Sequence, residues 1–157
     1  MILITASCVG CDQAAKSVAR SQLAHTETVS LAGDTLRLQY TENNGAFLGL
    51  GAALPKRWRT VIFSGAVAVV LGLVLAYALV SESAPVTVVV ALSLVGGGGI
   101  GNLLDRVAHG GYVVDFINLG VGVVRTGIFN VADVAITAGM VLFVWRILAP
   151  QRRAFGE

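Results

Sequence analysis

Two acidic residues stand where acids are expensive. Asp115 lies in Tyr112-Val113-Val114-Asp115-Phe116-Ile117, and Asp133 ends Phe129-Asn130-Val131-Ala132-Asp133 inside an apolar run that continues to Trp145. A carboxylate in such a run is strongly disfavoured unless it is paired, neutralised or turned toward water, so each is a functional candidate. Two carboxylates that meet push their pKa values apart, so that one stays ionised while the other keeps its proton. That is what a base and an acid need in order to work on one water molecule.

Other polar residues have spacings that matter. Asn130, Asp133 and Thr137 follow one another at intervals of three and four, which would place them on one helix face. The alternative is a polar patch that joins helices. Asn102 and Arg106 share a face at i, i+4, with His109 a turn further. They could supply fixed hydrogen-bond donors near the carboxylates. Asp105-Arg106 reads equally as an interfacial ion pair. Asn43-Asn44-Gly45-Ala46-Phe47 reads first as a turn, from which Asn43 could also reach a ligand. Asp12, Lys16 and Arg20 form a polar stripe at i, i+4, i+8.

Some patterns are set aside. Gly96-Gly97-Gly98-Gly99-Ile100-Gly101 spells a dinucleotide fingerprint, but no βαβ unit surrounds it. Close helix approach is the better reading. Cys8 and Cys11 have redox spacing without that context, and packing is expected of them. His25 and His109 make no metal set with the cysteines, so neither a metal nor a cofactor is expected.

The elements that must position these residues follow from composition. The chain has 157 residues, 55% hydrophobic and 13% charged, against about 25% charged in soluble domains. Its mean hydropathy is +0.79. We read one membrane domain, all-α, with four transmembrane helices over about 1–23, 61–80, 86–104 and 128–148. The net charge of +2 gives no argument for nucleic acid. Between the spans, Leu36, Leu38 and Tyr40 alternate with polar residues as a strand does, after the turn pair Gly33-Asp34 and the short run Thr28–Leu31. Tyr112–Ile117 and Val121–Arg125 read as a second hairpin at the same membrane face. Segments 24–60 and 105–127 therefore carry a small β-sheet platform outside the hydrocarbon, where open edges are tolerated. No cleaved signal peptide is expected, and a few residues are expected to precede Met1.

Four spans put both termini on one side. Counting basic residues places the long loops inside the cell, since Arg37, Lys56, Arg57, Arg59, Arg106 and Arg125 lie there. From the residues alone, a small proton carrier using Asp12, Asp105 and Asp133 also stays open.

Five motifs in one order resemble the lipoprotein signal peptidase (signal peptidase II) family over essentially the whole chain. Asp12-Gln13-Ala14-Ala15-Lys16 is similar to D-Q-x-[ST]-K, with Ala15 in place of the hydroxyl residue. Asn43-Asn44-Gly45-Ala46-Phe47 is similar to N-x-G-A-[AF]. Gly101-Asn102-Leu103-Leu104-Asp105-Arg106 matches G-N-x-x-D-R, Val114-Asp115-Phe116-Ile117 matches V-D-F-I, and Phe129–Asp133 matches F-N-x-A-D. The resemblance implies a membrane aspartic endopeptidase that removes the signal peptide of prolipoproteins before a diacylglyceryl-modified cysteine. It implies Asp115 and Asp133 as the catalytic pair, with Asn43, Gly45, Asn102, Arg106 and Asn130 lining the site and Asp12, Lys16 and Asp105 supporting it. It places the chain in the bacterial cytoplasmic (inner) membrane, with both termini cytoplasmic and the site near the outer face, against the charge count. The expected partners are the lipid-modified prolipoprotein and membrane lipid, and the chain is expected to act as a monomer.

Overall fold

The structure, a computed structural model, describes residues 1–44, 55–81 and 84–149. In chain order the elements are α1 (Ile2–Leu23), β1 (Val29–Leu31), β2 (Leu36–Asn43), α2 (Lys56–Val80), α3 (Val86–Ala108), β3 (Val113–Val121), β4 (Val124–Arg125) and α4 (Val131–Leu148). Pro55 and Pro85 stand at the N-caps of α2 and α3, where a locked φ and a missing N–H do no harm. Among the described residues, α3 with 23 residues and α4 with 18 are long and apolar enough to cross a membrane.

Helix α3 is the centre of the bundle, and its glycines explain why. Successive helical residues point about 100° apart. Three neighbouring glycines therefore admit three different helices. A methyl group at Gly97 would lie 2.7 Å from Cys8 Cβ of α1. One at Gly98 would lie 2.7 Å from Ile136 Cγ1 of α4 and closer still to the Ala132 carbonyl oxygen. One at Gly99 would meet Leu71 and Val67 of α2 at 3.5 Å, an ordinary contact. The glycine run thus serves close helix approach, as its spacing suggested.

The four strands form one antiparallel sheet in the order β1-β2-β3-β4. Strand β2 pairs Leu36 with Leu119, Leu38 with Ile117, Thr41 with Asp115 and Asn43 with Val113, with an irregularity between Leu38 and Thr41. The β1–β2 turn uses three residues of positive φ, Ala32, Gly33 and Asp34. Asp34 is fixed there by Arg37 at 2.6 Å and Ser30 at 2.8 Å. Hydrogen bonds from Arg37 first, then Ser30, hold its carboxyl well below the usual carboxylate range.

Three expectations need correction. Tyr112–Ile117 and Val121–Arg125 do fall in a second hairpin, but its turn lies later than the two runs place it: β3 runs unbroken from Val113 to Val121, turns at Gly122 (φ 56°), and β4 folds back on it, pairing Gly120 with Arg125 and Val121 with Val124. Backbone pairing with β2 carries β3 through the break in alternation, so the segment between α1 and α2 and the one between α3 and α4 share one sheet. Helix α3 does not stop at Leu104. Nothing breaks it before His109 and the positive-φ pair Gly110-Gly111, so Asp105 and Arg106 belong to its last turn rather than to a loop. Asn130 does not share a helix face with Asp133 and Thr137, because it is the N-cap of α4. Its side-chain oxygen accepts from Asp133 N at 2.9 Å, and Asp133 Oδ2 accepts from Asn130 N at 3.2 Å, a reciprocal capping box.

Candidate active site

The site forms where the sheet meets the first turn of α4. Phe129 bridges to Ile117: Phe129 N donates to Ile117 O at 2.9 Å, and Phe116 N and Ile117 N donate to Phe129 O at 3.0 and 2.8 Å. This pairing lays the start of α4 along β3 and brings residues 115, 130 and 133 together. On the other side of β3, Asn43 on the neighbouring strand β2 donates through Nδ2 to Asp115 Oδ2 at 2.8 Å.

Asn130 is the link between the two acids. Its Nδ2 donates to Asp115 Oδ1 at 2.6 Å, while its backbone N–H donates to Asp133 Oδ2. Asn102 Nδ2 donates to the remaining oxygen, Asp133 Oδ1, at 3.0 Å. Asp115 is buried and Asp133 is half-buried. A cavity of ≈ 560 Å³ reaches Asp133 and is lined by Phe129, Val134, Thr137 and Ala138 among others. Its wall is apolar apart from Asp133 and the threonines. Such a cavity can take an apolar group while presenting one carboxylate to it.

Burial, with the charge of Asp133 adding to it, pushes the Asp115 carboxyl up to about 6, against the pull of hydrogen bonds from Asn43 and Asn130. Folded Asp115 holds its proton more tightly than the unfolded group at 3.8. Its contribution is therefore full below that value and is lost as pH rises through about 6. We expect the difference in unfolding free energy between the unaltered chain and Asp115→Asn to shift toward the variant by about 2 kcal/mol as pH rises from about 4 to about 7. Melts in micelles across that range would check this, and a difference independent of pH would contradict it.

A second cluster lies behind the first. Lys16 Nζ contacts Asp12 Oδ2 at 2.8 Å, Asp105 Oδ2 at 3.1 Å and Asn102 Oδ1 at 2.8 Å, and all three charged side chains are at most 2% exposed. Asp12 Oδ1 also accepts from Ala132 N at 2.9 Å, tying α1 to the first turn of α4. Asp105 Oδ2 accepts from Val114 N at 3.0 Å, tying α3 to β3. Asp105 is thus paired with Lys16. These contacts fit a structural ion cluster better than a pair of proton carriers.

Asp115, Asp133, Asn43, Asn102 and Asn130 therefore converge directly. Arg106 donates to Asn102 O at 3.2 Å and interacts electrostatically with both Asp115 and Asp133. Asp12, Lys16 and Asp105 stand one layer back, and Gly45 lies outside the described residues. His109 is elsewhere, stacked on Tyr112 at 5.5 Å. Sequence reasoning passed over Gln13, whose Nε2 lies 3.1 Å from both Gly101 O and Asp105 Oδ1 and 3.2 Å from Asp12 Oδ2. Its place beside Asp12 in the first motif was the available signal. Among the described residues, no group of three or more His, Cys, Asp or Glu side chains is placed to hold a metal ion.

The chain is similar to known proteins over most of its length. The lipoprotein signal peptidase of Moorella thermoacetica is 33% identical over 150 residues, covering 95% of this chain and 93% of that protein. That of Chlorobium phaeobacteroides is 36% identical over 141 residues, covering 85% and 80%. Two solved structures, each described as a bacterial membrane enzyme, superpose with TM-scores of 0.81 and 0.80 at 28% and 26% identity. They are matched over 94% and 96% of this chain and 86% and 93% of their own. A family model described as signal peptidase (SPase) II matches residues 4–149, and with these relatives it shows that the chain belongs to the signal peptidase II family.

Proposed function

We propose that this chain is a membrane aspartic endopeptidase that cuts the signal peptide from prolipoproteins just before the diacylglyceryl-modified cysteine. The observation that carries the reading is the single asparagine, Asn130, hydrogen-bonded to both Asp115 and Asp133 at the edge of an apolar cavity.

Asp133, the half-buried member, faces the cavity and is assigned as the base that takes a proton from the attacking water. Asp115, buried and with its carboxyl pushed up, is assigned the shared proton. It polarises the scissile carbonyl and then donates to the leaving amine. The acids act by general acid–base catalysis, with no covalent acyl-enzyme. Asn43 and Asn130 orient Asp115, and Asn102 orients Asp133.

The lipid on the substrate holds its reactive peptide at the membrane boundary, so the acids must lie at that depth. Burying an acyl chain beside the site contributes about 0.8 kcal/mol per CH₂ group. Four spans, with the sheet and the site near the outer face of a bacterial inner membrane and both termini in the cytoplasm, meet this need. The sheet itself belongs outside the hydrocarbon because its open edges cannot face lipid.

The test is cleavage by the purified chain in lipid or detergent. Diacylglyceryl-modified prolipoprotein is expected to release a peptide ending at the residue before the modified cysteine, read by mass spectrometry. Unmodified prolipoprotein should be cut poorly. Cleavage at another bond, or none with active lipid-modified substrate, would overturn the reading.

A further inference from the structure

We propose that Lys16 is a positioning residue for the carboxylate pair: it holds the Asn102 amide with its oxygen inward, which obliges the amide nitrogen to face Asp133. The inference rests on the reading of Asp115 and Asp133 as the reacting pair.

An ammonium group has three donors and no acceptor. Those of Lys16 go to Asp12, Asp105 and Asn102 Oδ1. Asn102 Oδ1 also receives Asn130 Nδ2 at 3.2 Å. Turning the Asn102 amide over would set its NH₂ group against a buried positive charge and a second NH₂ group at once. The turned form is excluded, so Asn102 Nδ2 stays on Asp133 Oδ1 at 3.0 Å.

Asn130 is fixed by a different device. Its oxygen accepts from Asp133 N in the capping box, so its NH₂ must face Asp115. One amide is thus set by the start of α4 and the other by a lysine on α1. Asp133 receives a constant donor on each oxygen, Asn102 Nδ2 on one and Asn130 N on the other. Lys16 has no hydrogen bond to Asp133, since its own end on Asp12, Asp105 and Asn102; it acts on that carboxyl through Asn102 and by its charge at a distance.

Removing Lys16 alone would strand two buried carboxylates, which is strongly destabilising in itself. The double variant Lys16→Met/Asp105→Asn removes one positive and one negative charge and so keeps the net charge of the cluster. It leaves Asn102 in place, with its oxygen held by Asn130 alone. We expect it to lower kcat about tenfold or more, with KM for lipid-modified prolipoprotein unchanged. In protein labelled with ¹³C at aspartate, the Asp133 carboxyl resonance is expected to move, although neither substituted side chain hydrogen-bonds to it. That readout needs no turnover. Unchanged kcat, or an Asp133 resonance that stays in place, would overturn the proposal.

Should the double variant unfold, Asn102→Asp decides. It keeps an acceptor for Lys16 but has no N–H for Asp133, so kcat should fall while KM holds. Retained turnover there would overturn the proposal. If the unaltered chain itself fails to cleave lipid-modified prolipoprotein, the peptidase reading falls, and the Asp133 resonance still judges the positioning role.

Discussion

Asp133→Asn is expected to lower prolipoprotein cleavage by about 10³-fold or more while the chain stays folded. The substituted amide keeps one oxygen for the N–H of Asn130, so the cap of α4 survives. Its nitrogen then meets Asn102 Nδ2, which cannot turn away from its contacts with Lys16 and Asn130. One pair of opposed donors destabilises by about 1–3 kcal/mol, which lowers the melting temperature without unfolding the bundle. The loss of rate has a separate cause, since an amide cannot take a proton from water. Asp115→Asn should fail as fully, and the double variant no worse than either, because the two acids act as a unit. Cleavage rates measured beside melting curves in the same micelles separate the two effects. Normal processing by either single variant would remove that residue from the pair.

Gly98→Ala is the second large effect, and it is a packing effect. A methyl group at residue 98 would meet the Ala132 carbonyl oxygen and lie 2.7 Å from Ile136 Cγ1. The carbonyl belongs to the backbone of α4 and cannot rotate aside, so α4 itself must move away from α3. Ala132 is the neighbour of Asp133, and Asp133 depends on Asn102 of α3 across this same contact. We expect a stability loss of about 1–3 kcal/mol. A misplacement on the order of 1 Å should lower cleavage by about a hundredfold. Gly10→Ala is the control: a methyl group there has no heavy atom within 4 Å. It should leave cleavage unaltered and, by helix propensity, stabilise the chain by about 0.5–1 kcal/mol. Equal behaviour of the two variants would mean that the α3–α4 contact does not position the site.

The strands were legible because they alternate, and the helices because they run apolar without interruption. Asp115 and Asp133 stood out because a carboxylate among apolar residues needs a reason. What spacing could not reveal was the partner of each polar group. Asn130-x-x-Asp133 has the interval of a helix face, yet the same interval makes a capping box. Only the bridge from Phe129 to Ile117, a contact distant in sequence, decides that the helix starts after Asn130. Asp105-Arg106 invited a reading as neighbours in an ion pair, but the pairing of Asp105 is with Lys16, 89 residues earlier in the chain. Gln13 was passed over for the same reason, since its acceptors on α3 become its neighbours only when α1 packs there. The second hairpin turns later than its two runs suggest, because side-chain alternation breaks near Asn118 whereas β3 continues to Val121 before β4 folds back on it after Gly122.

The central claim is that Asp115 and Asp133 share one reacting water. The most direct measurement is an experimental structure of the chain with a lipid-modified peptide in which a hydroxyl-bearing tetrahedral carbon replaces the scissile carbonyl. The account predicts one hydroxyl oxygen within hydrogen-bond reach of both carboxylates, about 2.5–3.0 Å from each. A hydroxyl bound to only one of them, or a peptide seated away from the cavity beside Asp133, would contradict it.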